Sequence, residues 1–175
     1  MKADAVEILL PAEEVARRVE DAALRLLPLL DEDTTLVCLL TGGLWFAADL
    51  TRALARLGLD LPFDAMWLAS YGDDKASGGR VELRAGLLRP VAGRRVVMVD
   101  EVMDSGLTLA EGARLLREAG AAEVLACVFA RKPWPEPRDF VPDVVAWEAP
   151  ARFLAGYGMD LAGRWRGRPD VVALD

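Results

Sequence analysis

The sequence predicts an α/β fold: a largely parallel central sheet with flanking helices, and a small hood built from the C-terminal and N-terminal ends. Three observations predict it. Apolar runs of strand length alternate with segments of helical periodicity from residue 11 to residue 130. One run, Val96 to Val99, leads into two acids and then, through Asp104-Ser105-Gly106, into a helix. Beyond Lys132 the alternation gives way to prolines and short extended pieces. Residues 1–175 read as one domain.

The elements follow in order. Pro11 opens a helix with acids in its first turn, expected to run to about residue 30. Residues 35–40 form a short apolar strand, and Thr41-Gly42-Gly43 a tight loop. Residues 44–57 read as a helix stopped near Gly58. Residues 63–70 form the next strand. GDDKASGG, residues 72–79, is the one polar, glycine-rich stretch, and 80–84 alternates as a strand does. Residues 96–99 and 124–130 are buried strands around a helix at 107–119, with Leu109, Ala113 and Leu116 on one face. Prolines at 133, 135, 137 and 142 make an irregular connection to a strand at 143–147. The tail, 149–175, reads as loops and short strands.

Composition narrows the function. Apolar residues are 53% and charged residues 28%, a globular balance. No apolar run reaches the ~18 residues of a membrane span, and the N-terminus lacks signal-peptide character, so a cytoplasmic protein with no membrane partner is expected. The net charge of −7 argues against nucleic acid as a partner. Cys38 and Cys127 lie in apolar runs and read as buried free thiols. The chain has no histidine, so acid–base work falls to Asp, Glu, Lys or Tyr.

The stretch VVMVDEVMDSGLTLAEG, residues 96–112, holds the chemistry. Asp100 and Glu101 close the strand in this reading, and Asp104, Ser105, Gly106, Leu107 and Thr108 lead into the helix. A strand-to-helix turn aims backbone N–H groups and the positive helix end at one point, which suits a phosphate. The neighbouring acids suit ribose hydroxyls or a magnesium ion. Phosphate, sugar diol and metal together suggest a phosphorylated sugar. An ordinary strand–loop–helix crossover in a nucleotide-binding sheet is the alternative.

This segment resembles the phosphoribosyl-pyrophosphate (PRPP) motif of the type I phosphoribosyltransferases. Four further segments are similar to the hypoxanthine-guanine branch of that family, in the same order: LLTGGLWFAADL from Leu39, WLASYG from Trp67, Lys132-Pro133, and ARFLAGYGMDLAGRWRGRP from Ala151. The resemblance spans about residues 36–174. It implies a purine phosphoribosyltransferase of the type I fold, with PRPP and a purine base as partners, Mg²⁺ as cofactor, and a homo-oligomer, dimer or tetramer.

The resemblance also implies roles. Asp104 would face N7 of the base as general base or hydrogen-bond acceptor. Asp100 and Glu101 would hold the ribose hydroxyls and, with Asp160, lie at the metal. Ser105, Gly106, Leu107 and Thr108 would cradle the 5′-phosphate. Thr41, Gly42, Gly43 and Arg166 would face pyrophosphate. Phe153 would stack on the purine, worth ~1–2 kcal/mol. Lys132 would donate to the C6 oxygen, with Arg131 beside it able to exchange roles, and the Leu154 carbonyl would accept from a 2-amino group. Ser70 and Tyr71 would begin a lid extending through residue 79.

Two positions depart from the family pattern. Thr41 stands where the family usually has Lys, which removes a cation from the pyrophosphate loop. Glu101 stands where Asp is usual, moving the charge by a methylene. A PRPP- or nucleotide-binding regulatory relative with little activity, or an enzyme for another base such as xanthine, remain the alternatives.

Overall fold

The structure is a computed structural model that describes residues 6–71 and 80–174, with backbone only at 70, 71 and 80. Its six-stranded sheet is built from β2 (Thr35–Leu40), β3 (Phe63–Tyr71), β4 (Arg80–Ala85), β5 (Arg95–Met103), β6 (Glu123–Arg131) and β7 (Val144–Glu148). The spatial order is β4-β3-β2-β5-β6-β7, and every pairing is parallel except β3 with β4. Three helices pack on it: α1 (Ala12–Leu26), α2 (Leu44–Arg56) and α3 (Leu107–Glu118).

The central strands are apolar on both sides because both faces are covered. Val97 and Val99 of β5, with Leu36 and Cys38 of β2, pack in one core with α1 and α2. Val96 and Met98, with Val37 and Leu39, pack in the other with α3. Gly112 lets α3 approach the sheet, since a Cβ there would meet Met98 Sδ at 2.9 Å. Cys38 and Cys127 are free and buried, as expected. Burial pushes the Cys38 thiol up to about 12.

The chain leaves β2 toward β3 on one side, and later places β5 on the other side of β2. A crevice therefore opens beyond the C-terminal ends of β2 and β5, where open parallel sheets bind ligands. A second sheet, antiparallel and in the order β1-β9-β8, forms the hood. It comprises β1 (Glu7–Leu10), β8 (Phe153–Ala155) and β9 (Val171–Leu174).

Several expected boundaries shift. β5 does not close on Asp100 and Glu101 but runs through them to Met103. Its pairing with β6 continues through Asp100↔Val128 and Met103↔Arg131, which holds the polar residues extended. The first helix ends at Leu26 and tightens into a 3-10 turn, Leu27–Leu29, around Pro28. The N-terminal segment before that helix is a strand, β1, paired with β9 from the other end of the chain. Ser70 and Tyr71 do not begin a loop; their backbone extends β3, in register with Val81 and Arg80 of β4. The rest of the expected lid, residues 72–79, lies outside the described residues.

Candidate active site

A cavity of about 420 Å³ occupies the crevice between the ends of β2 and β5. Thr41 and Gly42 form one wall and the segment from Asp100 to Thr108 another, with Asp160 and Arg166 reaching in from the hood side; Gly43 lies behind them, its N–H donating to the Leu39 carbonyl. Gly106 supplies the turn into α3 at φ 88°, a left-handed conformation that favours glycine. The Leu107 N–H meets Ser105 Oγ at 3.4 Å. The first turn of α3 supplies N–H groups that lack intrahelical acceptors, so this end of the cavity suits an anion.

The acids of β5 are held differently. Asp100 is 7% exposed, and its Oδ1 accepts the Glu101 N–H at 3.0 Å. Burial, and then the adjacent Glu101 carboxylate, push the Asp100 carboxyl well above its usual range. The Glu101 carboxylate lies against the Thr41–Gly43 loop. A Cβ at Gly42 would stand 1.7 Å from Glu101 Oε1, so a larger residue would displace the carboxylate from this place. Gly158 of the hood touches the same place: its Cβ would be 2.3 Å from the Gly42 carbonyl. Loop, strand and hood thus meet at one point.

On the hood side, Arg166 Nη2 lies 2.5 Å from Asp160 Oδ1, and Arg166 Nη1 donates to the Gly158 carbonyl at 2.6 Å. Glu101 Oε1 is 3.8 Å from Arg166 Nη1. Asp160 Oδ2 also accepts the Gly163 N–H at 2.7 Å, so the acid shapes its turn as well as pairing with Arg166. Among the described residues lining the large cavity, Arg166 is the one cation, set against Asp100, Glu101, Asp104 and Asp160.

A smaller cavity, about 150 Å³, adjoins the first and shares Glu101, Val102, Asp104 and Asp160 with it. Lys132, Phe153, Leu154 and Met159 complete its lining. Lys132 Nζ lies 3.1 Å from Asp104 Oδ1 and 3.4 Å from Oδ2. Arg131 does not exchange roles with Lys132, because its guanidinium pairs with Glu148 of β7. Phe153 is 50% exposed, so it is a surface of this cavity and not a core aromatic.

A family model described as phosphoribosyl transferase domain matches residues 5–160, the stretch that carries this helix end, its paired acids and most of the smaller cavity. The chain belongs to the type I phosphoribosyltransferases. Its similarity to curated hypoxanthine-guanine phosphoribosyltransferases is nearly full length. The protein from Bacillus subtilis is 31% identical over 175 residues, covering 99% of this chain and 96% of that protein. The one from Aquifex aeolicus is 32% identical over 172 residues, covering 97% and 95%. Among solved structures, a hypoxanthine-guanine phosphoribosyltransferase from Bacillus anthracis superposes with a TM-score of 0.87 at 27% identity, covering 97% of this chain and 98% of that one.

In this phosphoribosyltransferase the structure adds three residues that sequence reasoning did not single out. Val102 and Met159 line the smaller cavity. Val102 is one strand residue among several, and Met159 sits in a hood turn, so neither carries a local signature. The third, Arg138, donates from Nε to the Asp104 carbonyl at 2.9 Å and from Nη2 to the Lys132 carbonyl at 2.5 Å. A lone arginine in a proline-rich connection was its only trace in the sequence.

Proposed function

We propose that this chain transfers the phosphoribosyl group of PRPP to a 6-oxopurine, hypoxanthine or guanine, giving a nucleoside monophosphate and pyrophosphate in purine salvage. The observation that carries the reading is the pair of adjoining cavities with Asp104 on their shared wall. One offers a helix N-terminus and carboxylates, the chemistry of a sugar phosphate. The other offers a cation, an exposed ring and a carboxylate, the chemistry of a flat oxo-base. The activity named for the similar hypoxanthine-guanine phosphoribosyltransferases agrees with it.

In this reading N9 of the purine attacks C1′ of PRPP. The N9–C1′ bond forms, the C1′–O bond to pyrophosphate breaks, and the N7 proton passes to the Asp104 carboxylate. Asp100 and Glu101 receive the ribose hydroxyls, and the turn Ser105 to Thr108 receives the 5′-phosphate. Phe153 and Val102 bound the space for the ring, and the Leu154 carbonyl is offered to a 2-amino group. Lys132 donates to a C6 oxygen and meets the amino group of adenine with no acceptor to offer. The transition state is oxocarbenium-like, so most of the acceleration would come from positioning and from charge placed around C1′.

The donor set fits Mg²⁺ brought in with the substrate. Magnesium is commonly held by one or two carboxylates together with substrate phosphate oxygens. Among the described residues no group of three or more ligand side chains forms a ready cage, whereas Glu101 and Asp160 stand beside the same cavity. These two would hold the metal, which when bound would offset the charge of the leaving pyrophosphate. Among the described residues no helix is long and apolar enough to cross a membrane. A cytoplasmic homo-oligomer, dimer or tetramer, is part of the same reading.

The test is pyrophosphate release with PRPP, Mg²⁺ and a panel of bases. Turnover with hypoxanthine or guanine and little with adenine is expected. Preference for adenine would overturn the assignment of Lys132. Turnover of xanthine alone would move the substrate, and none with any base would favour a binding protein.

A further inference from the structure

The connection from β6 to β7 does more than join two strands. After Lys132 it runs Pro133-Trp134-Pro135-Glu136-Pro137-Arg138. Three of the first five residues after Lys132 are prolines, which have no N–H to donate. The carbonyls of Lys132 and Asp104 therefore receive little from this backbone. Arg138 serves both from one side chain, through Nε at 2.9 Å and Nη2 at 2.5 Å. The guanidinium is suited to this because its donors form a rigid planar fork.

The two carbonyls belong to the two residues whose side chains meet in the smaller cavity. Lys132 Nζ lies 3.1 Å from Asp104 Oδ1, and the Lys132 N–H donates to the Met103 carbonyl at 3.0 Å. Residues 103–104 and 132 are thus joined by a backbone bond, a side-chain ion pair and the Arg138 fork. The fork also supports the phosphate turn. A Cβ at Gly106 would stand 3.6 Å from Arg138 Cδ and 3.5 Å from the Phe140 carbonyl. Phe140 in turn packs with the α3 core and lies under the Arg117 guanidinium, 6.0 Å from ring centroid.

From this geometry we infer that Arg138 is a positioning residue that sets the separation of Asp104 and Lys132, and so governs how the site reads the base. Both of these hydrogen bonds are to backbone carbonyls. Arg138 is not among the described residues lining either cavity. The inference rests on the proposed function, because the pair it positions is the pair assigned to the purine.

The consequence is a split between substrates. Displacing a reacting or recognising group by about 1 Å can cost on the order of 10²-fold in rate. Arg138→Ala should therefore lower kcat/KM for hypoxanthine by roughly 10- to 100-fold. It should leave the dissociation constant of PRPP, measured calorimetrically with Mg²⁺, within about twofold. Selectivity for hypoxanthine over adenine should narrow. Arg138→Lys should recover only part of the loss, since one ammonium is a point donor and does not span two carbonyls in the plane of a fork. Added guanidinium at millimolar concentration should restore turnover to Arg138→Ala and leave the native chain unchanged. Loss of both substrates in parallel with a falling Tm, or full activity in Arg138→Ala, would overturn the inference.

One readout keeps this separate from the function itself. The Asp104 carboxyl carbon, observed by ¹³C NMR and assigned with Asp104→Asn, reports the Lys132 contact without turnover. Its resonance should move in Arg138→Ala and return with guanidinium. If the native chain turns over no purine, the function falls, and this signal alone decides the positioning role.

Discussion

Arg166 and Asp160 face each other across 2.5 Å. The resemblance assigns the first to pyrophosphate and the second to metal, so each is the other's partner at the place where its own ligand would bind. A polyanion entering beside them competes with Asp160 for the guanidinium, and a divalent ion competes with Arg166 for the carboxylate. Each ligand frees the partner of the other. Binding of PRPP and of Mg²⁺ should therefore be mutually reinforcing.

Arg166→Gln should raise the KM for PRPP by roughly 10- to 100-fold, since a hydrogen bond to a charged group is commonly worth about 1.5–3 kcal/mol. The dependence of PRPP affinity on Mg²⁺ should flatten in the same variant. Calorimetric titration of PRPP at several Mg²⁺ concentrations measures both. Thr41→Lys tests the same shortage of cations from the opposite wall, and should tighten PRPP binding at low salt and less so at high salt.

Asp104→Asn should lower kcat by ~10²–10⁴ and leave PRPP affinity nearly intact, because the amide keeps the shape and loses the proton acceptor. The Lys132 ammonium then faces an amide in place of its carboxylate partner. Steady-state kinetics with hypoxanthine, alongside PRPP titration, distinguish this from general damage. A variant with near-native turnover would remove Asp104 from proton transfer.

Asp100 predicts a trade between stability and binding. Its carboxyl is raised by burial and by Glu101, so the native state retains a proton that the unfolded chain gives up near pH 3.8. Across that window the unfolded state binds fewer protons, and stability falls as pH rises from about 3.8 toward the native pKa. Asp100→Asn removes the cost. Its Tm in metal-free buffer should exceed the native value at pH 8, and the gain should vanish toward pH 3.5. A chain of this size shifts by about 2–4 °C for each kcal/mol. PRPP binding should weaken in the same variant. A lower Tm at pH 8 would show that the buried carboxylate is compensated.

Gly42→Ala should inactivate the site without unfolding the domain. The added methyl would occupy the place of the Glu101 carboxylate, 1.7 Å from Oε1, and the carboxylate is the far end of a flexible side chain. Glu101 swings away and ribose binding is lost, with a Tm change of a few degrees at most. Gly158→Ala is different. Its Cβ would meet the Gly42 backbone carbonyl at 2.3 Å at φ +96°, so the hood itself must shift, and a loss of ~1–3 kcal/mol is expected. Thermal melts paired with PRPP titration separate the two outcomes.

The sequence by itself determined the alternation of elements and the place of the phosphate turn. Apolar runs such as Val96–Val99 and the Leu109, Ala113, Leu116 repeat are local patterns, and both survive in β5 and α3. What local pattern lacks is partner information. The extension of β5 to Met103 depends on pairing with β6, and β1 exists because β9 reaches it from the far end of the chain. The site shows the same division. Lys132 and Asp104 each stood out by residue type, but their 3.1 Å contact joins the ends of two neighbouring strands. Arg138, Val102 and Met159 carried no pattern, because their roles arise only where the β6–β7 connection and the hood fold back over the strand ends. Tertiary structure also set charges. Asp100 and Glu101 are adjacent acids in sequence, and only burial separates the raised carboxyl of Asp100 from the loop-facing carboxylate of Glu101.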